Sequence, residues 1–327
     1  MRILITGAGG YIGTTLVDLL SASGYNVVAL DRYLFGDTVE DKTNVNVIKD
    51  DIRTVESNVL NGIDVVVDLA ALSNDPSGEL SPVITESINH LGRLRIAALS
   101  KAWRVKKYIL PSSCSVYGFN ENEVDESSAP NPLTTYAKAN LNIERDALKL
   151  STKDFSVTVL RLATVYGLSE RRMRFDLVLN DILGQAFTKG WTFLTTGGQQ
   201  WRPFIHVQDV CKAIKLTIEA DGNLVNGEVF NVGSGAQNFQ IFDAATLVFE
   251  GASQEFKYQW KGSPDTRSYH VSFEKIFKIL KFSPDYGIEK SSRELWKALE
   301  TGTVRYGDPK TVTVEWYKHL ISTGISL

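Results

Sequence analysis

Thr6-Gly7-Ala8-Gly9-Gly10-Tyr11-Ile12-Gly13 joins the apolar run Arg2–Thr6 to an amphipathic stretch, Tyr11–Ser23, that closes on Gly24. The run predicts a buried strand and the stretch a helix. The glycines at 7, 10 and 13 keep a G-x-x-G-x-x-G spacing. Glycine here permits a tight turn, lets backbone approach a pyrophosphate and lets helix pack on strand. The helix start adds free N–H groups and the positive end of a dipole. A plain strand-to-helix turn can also carry such a triplet. The commoner G-x-G-x-x-G spacing, started from Gly7, puts its last position on Ile12. Context decides: the turn follows a strand, and the next strand, Asn26–Leu30, runs into Asp31. A carboxylate there accepts hydrogen bonds from adenosine ribose hydroxyls and repels a 2′-phosphate. NAD is therefore the expected cofactor, with Arg32 the one neighbour that could tolerate NADP.

Outward from this turn the first half alternates apolar runs with helical ones. Strands are expected at Val45–Lys49, Asp64–Leu69, Lys107–Pro111 and Ser156–Leu160, with a long helix over Val83–Trp103 and another over Thr134–Leu150. Such alternation predicts an α/β fold, a Rossmann-type doubly wound parallel sheet covered on both faces. Past Gly167 the rhythm loosens, returning near His206–Glu219 and Glu228–Val232. The expected division is a cofactor domain of 1–167 with 202–234 and a smaller C-terminal substrate lobe of 168–201 with 235–327. A chain of 327 residues accommodates both lobes. With a net charge of -3 and no basic block, nucleic acid is not an expected partner. Cys114 and Cys211 cannot form a disulfide framework, lack metal-ligand spacing and read as small buried hydrophobes, so no metal is expected. No secretory leader and no membrane-length apolar run are visible, and a cytoplasmic protein is expected.

The chain resembles the extended short-chain dehydrogenase/reductase family in its nucleotide-sugar epimerase and dehydratase branch. The likeness runs over most of the length, through TGAGGYIG (6–13), DR (31–32), DDIR (50–53), DLAAL (68–72), NHLG (89–92), PSSCSVYG (111–118), NPLTTYAKAN (131–140), RLATVYG (161–167), RPFIHVQDV (202–210) and FNVGSG (230–235). It implies a Rossmann lobe holding NAD and a C-terminal lobe holding a sugar linked to a nucleoside diphosphate. By resemblance the cofactor contacts are Gly7, Gly10, Tyr11, Ile12, Gly13, Asp31 and Arg32 at the turn and second strand. Asp51 and Ile52 fall at the adenine, Leu69, Ala70 and Ala71 along the cofactor, and Asn89 on the long helix. Ser113 and Tyr136 match the catalytic serine and tyrosine. Thr164, Asn180, Arg202 and Arg267, with Ser113, are the implied substrate contacts, the arginines gripping the diphosphate. The family also implies a homodimer, in which the two long helices pair across a two-fold axis.

One position departs. The family places a lysine four residues after the tyrosine, and here that residue is Asn140. Positions four apart share a helix face, so Tyr136, Asn140 and Glu144 should align while Lys138 faces away. A free tyrosine has a pKa of about 10 and is a poor base at neutral pH. Asn140 can bond the nicotinamide ribose but brings no charge to stabilise a tyrosinate. Three functions stay open on the sequence: a nucleotide-sugar 4-epimerase, a C4 dehydrogenase or reductase, and a catalytically impaired protein that binds NAD and nucleotide sugar. Asn140→Lys should therefore speed hydride transfer with little change in NAD affinity. Elsewhere, His206 reads as a packed histidine, and Trp260 and Trp296 as core of the second lobe. Glu170-Arg171-Arg172-Met173-Arg174 reads equally as a substrate gate or a solvated charged loop.

Overall fold

A computed structural model describes residues 1–195, 197–263 and 267–327. Seven parallel strands form the central sheet, in the order Val229–Val232, Ser156–Leu162, Lys107–Ser113, Val65–Asp68, Arg2–Thr6, Asn26–Asp31, Val45–Lys49. Their centres are branched and apolar: Ile3, Leu4 and Ile5 are solvent-inaccessible, as are Val66 and Val67. Burial on both faces suits strands without alternation. Strand order reverses between Arg2–Thr6 and Val65–Asp68, and that switch point opens a crevice at the strands' carboxyl ends. The glycine turn and the helix Tyr11–Ala22 stand directly over it.

The expected long helix over Val83–Trp103 is instead three consecutive segments. An α-helical turn Pro82–Glu86 leads into a π-helical stretch Ser87–Gly92, and α-helix resumes over Arg93–Ala102. Asn89 pins the wide turn: its side chain accepts from Leu72 N–H at 2.8 Å and donates to Leu72 carbonyl at 3.0 Å. Wide turns of this kind change which residues of a helix meet the sheet. The second expected helix runs over Thr135–Leu148, capped by the Thr134 hydroxyl on Ala137 N–H.

The second lobe packs helices Val178–Lys189, Ile241–Gly251 and Ile288–Glu300 around Phe175, Leu183, Phe204, Phe249 and Leu295. Trp296 packs at the edge of this core against Phe187. Trp260, expected inside, is 46 % exposed and rests on Phe242 and Tyr258. Its strand, Tyr258–Lys261, belongs to a two-stranded edge sheet with too little cover to bury an indole. Two segments placed in this lobe by the sequence pack with the first. Tyr269–Phe282 contributes to the main sheet's core, and Thr313–Ser322 lays Tyr317 and Leu320 on Leu72. No helix among the described residues is long and apolar enough to cross a membrane.

Candidate active site

A cavity of about 500 Å³ runs from the glycine turn across the sheet's carboxyl edge into the second lobe. At its cofactor end it is lined by Gly7, Gly10, Tyr11, Ile12, Gly13, Asp31, Arg32, Ile52, Leu69, Ala70 and Ala71. The turn fits a dinucleotide on geometric grounds. A Cβ at Gly13 would lie 2.2 Å from the Gly7 carbonyl oxygen, and one at Gly7 would lie 2.6 Å from the Leu69 carbonyl carbon. Gly7 also holds φ at 68°, which only glycine adopts freely. The helix that follows has no side-chain cap, so its first N–H groups are left for an anion.

Asp31 ends its strand with the carboxylate taken by two backbone donors, Gly9 N–H at 3.0 Å and Tyr33 N–H at 2.6 Å. Burial raises its pKa above the ordinary carboxylate value, and those two bonds oppose the rise. Arg32 lines the cavity with two of its nitrogens engaged. It donates to the Ser326 carbonyl at 2.6 Å and stands 3.6 Å from Asp51. Asp51 itself does not line the cavity. It holds Arg53 in a forked pair, which burial opposes and the guanidinium favours, so its pKa lies below the usual range. Asn89 lies behind the wall and positions Leu72, as described above.

Ser113 and Tyr136 both open into the middle of the cavity. The Ser113 oxygen accepts from Ser115 N–H at 3.1 Å, which leaves its own hydrogen to donate. Burial raises the pKa of the half-buried Tyr136; Asn140 pulls it back, Asp75 adds to the rise, and Arg93 and Arg174 oppose it. The helix face is as expected. Asn140 and Glu144 are buried beneath Tyr136, while Lys138 is exposed. Glu144 is spent on Arg161 and the Ser112 hydroxyl. Asn140 does not reach the cavity wall.

Thr164, Arg202 and Arg267, implied substrate contacts like Ser113, also line the cavity. Arg202 is buried against Tyr269, with its guanidinium carbon 5.2 Å from the ring centre. Arg267 pairs with Asp75 across the cavity. Asn180, the other implied substrate contact, is not in the wall. Its oxygen accepts Gly167 N–H at 2.9 Å and its amide donates to the Arg174 carbonyl at 2.9 Å, so it braces the loop instead.

Several lining residues escaped the sequence reading. Asp75 sits in a short turn, Asp75–Gly78, whose Gly78 lies against Tyr136 with only 3.0 Å between a built Cβ and the tyrosine's own. Arg172 and Arg174 belong to the charged run, yet both are buried and line the cavity while Glu170 and Arg171 are exposed. Arg174 forks onto Asp176; Arg172 lies 3.5 Å from the Phe35 ring centre, and burial with Arg174 beside it lowers its pKa to about 10. Their alternation with Met173 and Phe175, also buried, was the available signal. His206 is packed, stacked on Tyr286 at 4.0 Å, and burial depresses its pKa to about 3. Both cysteine thiols are buried and held protonated by burial.

This layout is that of a dinucleotide-dependent enzyme, with a serine and a tyrosine lining the same cavity as the glycine turn. The chain belongs to the NAD-dependent epimerase/dehydratase family, whose model matches residues 3–233. A UDP-glucose 4-epimerase from Mycolicibacterium smegmatis is 30 % identical over 88 % of this chain and 95 % of its own. An uncharacterized UDP-glucose epimerase, YtcB, from Bacillus subtilis is 27 % identical over 87 % of this chain and 93 % of its own. Among solved structures, MoeE5 in complex with UDP-glucuronic acid and NAD superposes with a TM-score of 0.80 at 26 % identity, covering 98 % of this chain and 99 % of that one. The cofactor is NAD, and the chain is an NAD-dependent enzyme of the nucleotide-sugar epimerase type.

Proposed function

We propose that this enzyme epimerises a UDP-sugar at C4. The observation that supports it best is the convergence of Ser113 and Tyr136 on one cavity, with the glycine turn at one end and Arg202 and Arg267 at the other. Bound NAD supplies a reversible hydride acceptor and donor at the sugar's C4. Tyr136 takes up the C4 hydroxyl proton and later returns it, and the Ser113 hydroxyl donates to the same sugar oxygen. The cavity wall excludes water from the 4-keto sugar while it turns over. Arg202 and Arg267 bind the diphosphate, for which guanidinium is suited. On this reading Arg267 exchanges Asp75 for phosphate oxygens.

A cofactor lobe of 1–167 with 202–234, a substrate lobe of 168–201 with 235–327 from which Tyr269–Phe282 and Thr313–Ser322 return to pack on the first, a cytoplasmic location and a homodimer belong to the same proposal. A 4,6-dehydratase is disfavoured. In the resembling dehydratases an acidic pair follows the catalytic hydroxyl residue. Here Cys114 and Ser115 stand there, the thiol held neutral by burial. Spectroscopy of NAD-loaded protein tests the proposal. Adding UDP-glucose or UDP-glucuronic acid should produce a partial, persistent band of reduced cofactor and no 4-keto-6-deoxy product by mass spectrometry. No reduction with any UDP-sugar, or a released keto sugar with full reduction, would overturn it.

A further inference from the structure

We propose that the Arg93 guanidinium, acting through the Asn140 amide, supplies the fixed positive charge behind Tyr136, with Arg93 a positioning residue for proton transfer. The inference rests on the proposed role of Tyr136 as the base.

Arg93 begins the α-helix after the π-helical turn, and it is 1 % exposed. An arginine at that depth needs a reason, since burial of a charge costs several kcal/mol unless other groups compensate. Its bonds show where the charge is directed. Nη2 donates to the Asp68 carbonyl at 2.6 Å and the Pro111 carbonyl at 2.7 Å, anchoring the group to two neighbouring strands. Nη1 donates to Asn140 Oδ1 at 3.3 Å.

A structural reading makes Arg93 the partner of the buried Asp68. The two groups do form a buried ion pair, but without a hydrogen bond between their side chains. Nε stands 3.7 Å from Asp68 Oδ2 and completes no hydrogen bond among the described residues. The carboxylate is already satisfied by the Thr6 and Tyr108 hydroxyls. Arg93 therefore makes no hydrogen bond to that carboxylate, and its side-chain hydrogen-bond partner is Asn140.

Asn140 is the link. Its oxygen is held by the guanidinium, which fixes the amide's orientation and turns Nδ2 the other way. Nδ2 is buried, completes no hydrogen bond among the described residues, and is close enough to Tyr136 to favour the ionised hydroxyl. A donor polarised by a cation on its carbonyl side is a stronger donor. The pair thus performs two tasks of a single ammonium: an N–H on the tyrosine's side, and a permanent charge behind it. Arginine suits the task, because it stays protonated when buried.

Other charges also face Tyr136. Asp75, from the short turn above it, opposes ionisation and is itself paired with Arg267. Arg174, from the loop before the second lobe, favours ionisation but is forked onto Asp176. On its own helix Lys138 is exposed and Glu144 is committed to Arg161. Arg161 is neutralised by Glu144, and Arg93 is the cation hydrogen-bonded to Asn140, one turn from the tyrosine.

The test is a double-mutant cycle on the NAD-loaded protein, using Arg93→Met, Asn140→Lys and the two combined. One readout is the pH profile of single-turnover reduction of bound NAD by UDP-glucose. The second is direct tyrosinate titration in the near ultraviolet without sugar, with Tyr136→Phe as blank. Arg93→Met should move the Tyr136 titration up by about one pH unit or more. It should slow reduction at neutral pH by roughly tenfold, with recovery in alkali. Asn140→Lys alone should also slow it, because its ammonium crowds the guanidinium in a buried site. The combined variant should recover both readouts, one cation replacing the other. Two results would overturn the proposal: an unmoved Tyr136 titration in folded Arg93→Met, or faster reduction in Asn140→Lys alone. If Arg93→Met does not fold, the sign of the Asn140→Lys effect decides. If no UDP-sugar reduces the cofactor in any variant, the proposed function fails, and the tyrosinate titration still decides on Arg93.

Discussion

At the residue scale Asp31 sets the cofactor. Its carboxylate is fixed by Gly9 and Tyr33 N–H groups, and Arg32 is occupied by Asp51 and the Ser326 carbonyl. NAD should therefore bind more tightly than NADP, and calorimetric titration giving equal affinities would contradict this. The pH dependence has a definite sign. Ribose hydroxyls donate to the ionised carboxylate, and burial raises its pKa above the ordinary 3.8. NAD affinity should then weaken as acid approaches that raised value from above, and Asp31→Asn should flatten the dependence. The alignment of Tyr136, Asn140 and Glu144 was legible because helix periodicity is local. Arg93 was not: nothing in the run His90-Leu91-Gly92-Arg93 says that an arginine lies inward, since the preceding π-turn sets that face. Asn180 shows the reverse error. It is expected at the substrate, but its hydrogen bonds go to the loop backbone, which spacing cannot reveal.

At the element scale the glycine turn and its helix act as one unit. Gly13→Ala would drive a Cβ to 2.2 Å from the Gly7 carbonyl oxygen and 2.7 Å from that of Ala8. Backbone cannot yield there without moving the helix start. NAD affinity should fall by more than about tenfold, or roughly 1.4 kcal/mol. Gly24→Ala, with open space around a Cβ but φ at 83°, should cost stability and leave the affinity intact. Comparing the two by calorimetry and thermal melting separates a binding defect from a folding one. The central strands were legible as apolar runs. The break of the long helix was not, because the Asn89 bonds to Leu72 that hold it are tertiary.

At the scale of the whole molecule, His206 ties the strand Trp201–His206 to Tyr286. Its ordinary pKa of 6.5 is depressed to about 3 by burial. The unfolded chain therefore takes up a proton below 6.5 that the folded chain refuses until about 3. This contribution to stability is full above the unfolded value and is lost as pH falls between the two. Urea midpoints should decline across that window, and less steeply in His206→Gln. Association should follow from the face that carries Leu91 and Ala98, both exposed, beside the Thr135–Leu148 helix. Light scattering should give a dimer at micromolar concentration, and a monomer alone would refute it. The alternation of strands and helices that builds the central sheet was visible in the sequence. The return of Tyr269–Phe282 and Thr313–Ser322 to the first lobe was not, since it depends on contacts remote in sequence.

The most direct measurement of the central claim uses UDP-glucose carrying deuterium at C4, incubated with the NAD-loaded enzyme and followed by NMR. The account predicts a mixture of the two C4 epimers, with deuterium retained at C4 in both and only a partial steady fraction of the cofactor reduced. Deuterium lost to solvent, or a sugar recovered without inversion while Tyr136→Phe behaves identically, would contradict it.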